Sequence, residues 1–178
     1  MARPRLTGVL LAGGASRRFG SPKALARLDG ETLAERAWRV LGETCDERIA
    51  VGKRADGLPL PFSLVDDGTA LRAPLAGVVA GLRAARADVT VVLPVDAPLV
   101  SAELLLSLAA ACADAAVPQT GPLPAAYRKS ALPVLERRLA EGELCLKGAL
   151  RELDARVVEF DPALLANVNS PDDLVRLG

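Results

Sequence analysis

The residues best suited to chemistry lie in one segment, Leu11-Ala-Gly-Gly-Ala-Ser-Arg-Arg-Phe-Gly-Ser-Pro-Lys23. Gly13 and Gly14 have no Cβ, so a phosphate or a base can approach their backbone closely. Arg17, Arg18 and Lys23 bring positive charge into one loop, and ionised donors bind phosphate oxygens best. Two readings stand side by side. The loop cradles a triphosphate, or Gly13-Gly14 is a simple turn beside solvated arginines. The spacing matches neither G-x-x-x-x-G-K-[ST] nor G-x-G-x-x-G, so those two nucleotide-binding folds are not indicated. Asp96 follows the apolar run Val89–Leu93. A carboxylate there can hold Mg²⁺ together with phosphate oxygens, or it can form the turn before Pro98. Asp66 and Asp67 offer two more acids, which either contact a ribose, a base or a metal-bound water, or are solvated in a turn.

What is missing narrows the chemistry further. The 178 residues include no His, which removes imidazole as base or metal ligand and with it any Ser-His-Asp or Cys-His system. Cys45, Cys112 and Cys145 are odd in number and far apart, fitting neither a zinc site nor a disulfide framework. They read as reduced core thiols of a cytosolic protein. Lys plus Arg and Asp plus Glu both total 22. A nucleic-acid binder carries a basic excess, so affinity for phosphate must come from local clustering. No apolar run reaches membrane-span length and the start lacks a signal-peptide pattern. A cytoplasmic protein with no membrane or nucleic-acid partner is expected. The few aromatic residues, among them Trp38 and Tyr127, favour a monomer.

These residues need a scaffold, and the hydrophobic pattern supplies one. Solid apolar runs read as buried strands at Leu6–Leu11, Arg48–Val51, Ser63–Val65, Val89–Leu93, Ala115–Val117, Ala125–Tyr127 and Arg156–Phe160. Helices are expected over Thr32–Leu41, Pro74–Ala87, Ser101–Cys112, Ala131–Ala140 and Leu146–Leu153. A last helix opens at Ser170-Pro-Asp-Asp173, with Ser as N-cap, Pro at the first helical position and acids in the first turn. Alternating strands and helices imply an α/β fold, a mostly parallel sheet covered on both faces. The chain is read as one domain, with a nucleotide-binding half over about 1–117 and an acceptor-binding portion over about 118–178, divided at the Pro/Gly loop 119–124. Ligands of open parallel sheets bind beyond the C-terminal strand ends, where the glycine-rich loop, Asp66-Asp67 and Asp96 all fall.

Leu-Ala-Gly-Gly-x-Ser-x-Arg-x-Gly-x-x-Lys, as it stands at Leu11–Lys23, resembles the opening of the nucleotidyltransferases with a Rossmann-like, glycosyltransferase-A-like fold. Within them the chain is similar to the molybdenum cofactor guanylyltransferases. Pro74-Leu-Ala-Gly77, Leu93-Pro-Val-Asp-Ala-Pro98 and Asn167-Val-Asn-Ser-Pro-Asp-Asp-Leu174 add three more motifs in family order, over nearly the whole chain. The resemblance implies a three-layer fold of the nucleotide-diphospho-sugar transferase type. It also implies GMP transfer from GTP to molybdenum-molybdopterin, with Mg²⁺ as cofactor and pyrophosphate as leaving group. Carried across by matching, the nucleotide loop is Leu11, Ala12 and Gly13 with Gly14 beside it. The phosphate-binding lysine is Lys23, aided by Arg17, and the metal aspartate is Asp96. The acid before the Pro-Leu-Ala-Gly helix falls on Asp67, with Asp66 the alternative, and Asn167 and Asn169 lie on the pterin side. Other cofactor-synthesis proteins and apo-molybdoenzymes are the protein partners it suggests.

Four positions depart from the family pattern. Phe19 replaces Met, Pro22 replaces an acid, Gly52 stands where a polar residue, often Asn, follows the second strand, and Gly121 replaces the His of His-Pro-Leu. The rival readings are a cytidylyltransferase for the same pterin, a sugar-phosphate nucleotidyltransferase, and a non-catalytic nucleotide or cofactor carrier. Gly14 favours guanylyl over cytidylyl, since the cytidylyl relatives usually read Leu-Ala-Ala-Gly. Intact Lys23 and Asp96 argue against the carrier.

Overall fold

Val9 and Leu10 are fully buried at the centre of strand β1 (Leu6–Leu11), and the rest of the molecule is arranged around that strand. The computed structural model describes residues 5–13 and 19–177; Gly14, Arg17 and Arg18 lie outside them. In chain order the strands are β1, β2 (Arg27–Leu28), β3 (Glu31–Thr32), β4 (Glu47–Gly52), β5 (Leu64–Asp66), β6 (Val89–Pro94), β7 (Ala115–Pro118), β8 (Ala125–Arg128) and β9 (Ala155–Val158). The helices are α1 (Leu33–Thr44), α2 (Pro74–Ala84), α3 (Ala102–Ala111), α4 (Leu132–Ala140), α5 (Leu146–Leu150) and α6 (Pro171–Leu177).

Seven strands make one sheet in the order β5-β4-β1-β6-β8-β7-β9. β1 pairs parallel with β4 and β6, β4 with β5, and β7 with β9. Only β8 runs antiparallel, against β6 and β7. The expected mostly parallel α/β architecture is therefore the observed one. Two apolar clusters cover the two faces, one gathering α1 and α3 residues such as Leu41 and Leu105, the other α2 and α4 residues such as Leu82 and Leu135. Strands β7 to β9 continue the same sheet, so the segment after residue 118 shares a hydrogen-bonded frame with the first half.

Local chemistry sets the helix starts. Thr32 caps α1: its hydroxyl accepts from Glu35 N at 3.1 Å, and the Glu35 carboxylate accepts from Thr32 N at 3.0 Å. That capping box holds the Glu35 carboxyl below its ordinary range, the Thr32 hydroxyl contributing most. α2 starts on Pro74, where a missing N–H costs nothing. Its Gly77 and Gly81 face β1. A Cβ on Gly77 would lie 2.8 Å from a Leu11 methyl, and one on Gly81 would lie 2.7 Å from both Val9 methyls. The two glycines thus set how closely α2 sits on the sheet, and so where its N-terminus lies.

The differences from the sequence reading are at the margins. α1 runs on to Thr44, whereas α2 stops at Ala84 and α5 at Leu150. The β2–β3 hairpin has strands of two residues, too short to leave a periodic signal. Its turn, Asp29-Gly30, has positive φ at both positions, 52° and 82°, and Asp-Gly favours that backbone.

Candidate active site

The C-terminal ends of β1, β4, β5 and β6 meet in one cleft of about 550 Å³. Leu11, Ala12, Gly13, Lys23, Asp67, Asp96 and Asn167 all line it, as do Gly52, Lys53, Arg72 and the loop Thr120–Leu123. Backbone bonds fix the floor. Ala12 N donates to Val51 O at 2.9 Å, and Val95 N donates to Leu11 O at 3.2 Å. Gly13 lies against Gly52: a Cβ on Gly13 would stand 3.4 Å from the Gly52 Cα. The departure at Gly52 thus removes a side chain from this floor and leaves backbone facing backbone.

Lys23, Asp96 and Asn169 converge at the β6 side of the cleft. Lys23 Nζ donates to Asp96 Oδ2 at 3.3 Å and to Asn169 Oδ1 at 3.2 Å. Asp96 sits in the tight turn after β6, where Ala97 N donates to Pro94 O at 3.3 Å. The segment Asn167–Asn169 docks on that turn through Val168, whose N–H donates to Asp96 O at 2.7 Å and whose side chain is fully buried. Burying Val168 leaves Asn167 and Asn169 exposed on the other side of an extended segment. The Ser170–Asp173 cap of α6 holds the arrangement. The Asp173 carboxylate accepts from Asn169 N at 2.8 Å and Ser170 N at 2.9 Å, bonds that keep this carboxyl below its usual range, Asn169 N first. Asn167 lines the cleft directly, whereas Asn169 reaches it through Lys23.

At the β4–β5 side the structure separates the two neighbouring acids. Asp66 accepts from Arg54 N at 2.7 Å and Gly68 N at 2.8 Å. These two N–H groups, Arg54 before Gly68, hold its carboxyl below the ordinary range, and Asp66 does not line the cleft. It is a turn residue. Asp67 lines the cleft, with Oδ1 accepting from Lys53 Nζ at 2.5 Å and Thr69 N at 3.2 Å. The ammonium of Lys53 also donates to Thr69 O.

Lys53 and Arg72 are the cleft residues that sequence reasoning missed. Arg72 is tied to Asp56 by two bonds, at 2.6 and 3.2 Å. The available signal for Lys53 is its place just past Gly52, the residue that ends an expected strand. The 119–124 loop closes the remaining side, held by a two-way pairing in which Gln119 donates to Phe160 O and accepts from Phe160 N. A side chain at Gly121 would meet nothing within 4 Å, so this wall is open where the family pattern has His. Among the described residues no three His, Cys, Asp or Glu side chains converge on a point. A hard divalent cation at Asp96 would therefore have to share its coordination with a ligand's own oxygens.

Comparison with known proteins agrees with the geometry. Residues 8–157 match the model of the MobA-like NTP transferase domain. The molybdenum cofactor guanylyltransferase of Pseudomonas putida is 38% identical over 186 residues, covering 97% of each chain. The crystal structure of molybdopterin-guanine dinucleotide biosynthesis protein A from Archaeoglobus fulgidus superposes with a TM-score of 0.80 at 29% identity, covering 96% of this chain and 95% of that one. The 2-C-methyl-D-erythritol 4-phosphate cytidylyltransferase of Thermus thermophilus shares the fold, with a TM-score of 0.74 at 20% identity over 94% and 95% of the two chains.

Proposed function

The chain belongs to the MobA-like NTP transferase family and is a nucleotidyltransferase; from that premise we propose that it transfers GMP from GTP to molybdenum-molybdopterin, forming the molybdenum guanine dinucleotide cofactor and pyrophosphate. The observation that carries the reading is the meeting of Lys23, Asp96 and Asn169 within 3.3 Å beside a glycine floor. A triphosphate would lie over that floor, its charge met by Lys23 and by Arg17. Asp67 then contacts the nucleoside, and Asn167 and Asn169 face the acceptor.

The nucleophile in this scheme is the terminal phosphate of molybdopterin, attacking the α-phosphorus of GTP in line. Such a phosphate has a second pKa of about 6 and is largely ionised near neutral pH. It needs no strong general base, which accords with a chain that has no His. The protein's work is then positioning and charge neutralisation. Lys23 and Arg17 offset the charge that develops on the leaving pyrophosphate. Asp96, with triphosphate oxygens completing the shell, would hold Mg²⁺, which when bound neutralises the phosphates. Lys23 pairs with Asp96, so the carboxylate is not left as an unpaired charge.

Pyrophosphate release with each of the four NTPs and molybdenum-molybdopterin tests the proposal. Release with GTP alone is the expected result. Release with CTP would select the cytidylyl reading, and GTP binding without release would select the carrier.

A further inference from the structure

Lys53 is nearly buried at the β4–β5 end of the cleft, its side chain 11% exposed and that of Asp67 8%. An ammonium has three donors. Among the described residues two are spent, one on Asp67 Oδ1 and one on Thr69 O. Asp67 is likewise half used, since both of its bonds fall on Oδ1. One donor and one acceptor therefore remain side by side on the wall. The pair is neutral as a whole, which suits an uncharged ligand group better than a phosphate. Its distance from the phosphate end fits as well. β4 and β6 are two places apart in the sheet, about 10 Å at ordinary strand spacing. A nucleoside triphosphate laid across the Gly13–Gly52 floor, with phosphates at Lys23, would bring its base to Lys53 and Asp67.

We propose that Lys53 is a specificity-determining residue that reads the guanine carbonyl: its third N–H donates to O6, while the second carboxylate oxygen of Asp67 accepts from the adjacent N1–H and N2–H edge. The inference rests on the guanylyl reading and adds to it the residue that rejects other bases. Adenine and cytosine present an amino donor where guanine has its carbonyl, and that donor would face the ammonium. A site built to hydrogen-bond a group rejects analogues that leave its buried partner unpaired. Gly52 makes this possible. Because that position carries no side chain, the next residue's long side chain is the one that reaches the base.

Calorimetric titration of the whole protein with GTP, ITP and 2-aminopurine riboside triphosphate tests the assignment. ITP lacks the N2 amino group, and 2-aminopurine lacks O6 together with the N1–H, so the change on removing Lys53, rather than the analogue's own affinity, reports the O6 contact. Lys53→Met is expected to weaken GTP and ITP alike, each about tenfold, and to leave the 2-aminopurine nucleotide nearly unchanged. Equal weakening of all three, or of none, would overturn the proposal. Lys53→Gln keeps one donor on a shorter stem and serves if the methionine variant does not fold. It should lower the preference for GTP over the 2-aminopurine nucleotide by about threefold, and an unchanged preference overturns the proposal. A wild-type protein that binds ATP, CTP or UTP as tightly as GTP overturns this inference and the guanylyl reading together. A wild-type preference for GTP over the 2-aminopurine nucleotide that is undiminished in Lys53→Met overturns the Lys53 assignment alone.

Discussion

The cleft has two lysine–aspartate pairs, one at each end, and they are built differently. Lys53 and Asp67 are 14 residues apart, and Asp67 N donates to Gly52 O at 3.1 Å, continuing the β4–β5 ladder. The sheet itself sets their positions. Lys23 lies 73 residues from Asp96 and 146 from Asn169, so only the docking of distant segments unites them. The first pair is short and dry. The second is longer, at 3.3 Å, and its carboxylate is 29% exposed. A dry, ladder-held pair suits recognition of a neutral edge, because its donors and acceptors are fixed before the ligand arrives. A looser, wetter pair suits a place where lysine must exchange one anion for another as substrate enters and pyrophosphate leaves. Identical residue types thus serve different proposed tasks according to desolvation and how each is held.

The contrast is broken most directly at the phosphate end. Asp96→Ala and Lys23→Ala are each expected to lower turnover about 10²–10³-fold, with the thermal midpoint little changed. Steady-state pyrophosphate release beside a thermal melt reads both, and wild-type-like turnover in either variant would remove the assigned role. Gly81→Val should act on both ends through their common support, since its side chain would collide with Val9. A loss of about 2–3 kcal/mol of stability is expected from overpacking, read as a shifted urea midpoint. A loss of turnover without loss of stability would contradict the shared-support account. The smallest effect should come from Asp66→Asn. Asp66 has a depressed native carboxyl pKa, so it contributes stability that is present above its unfolded pKa near 3.9 and lost as pH falls through the lower native value. Relative to wild type, the variant should lose less stability on acidification below about pH 4. Nucleotide affinity at pH 7 should not move. A large loss of affinity would return Asp66 to the cleft.

Legibility followed the kind of signal each element left. β1, β6 and α2 were plain in the sequence because apolar runs and a starting proline are local features. The β2–β3 hairpin was not, since two-residue strands have no period to detect. The Asp96 turn and the Asn167–Asn169 segment could be named from ordered motifs, but their contact through Val168 N was invisible, being a meeting of two loops. Lys53 leaves no signal of its own in the sequence beyond that place, because a single lysine after a strand is ordinarily solvated. Asp66 and Asp67 shared one motif position, and only the direction of each carboxylate told turn from cleft.

By itself the sequence determined the α/β class, the exclusion of imidazole chemistry and the family, through buried runs of fixed periodicity and motifs of fixed residue type. Tertiary structure decided which of those residues share a surface: that Asp67 and not Asp66 lines the cleft, that Gly52 meets Gly13, and that Lys53 is driven inward against Asp67. Strand order and sheet register bring distant residues to within a few ångströms, and neither is written in the spacing along the chain.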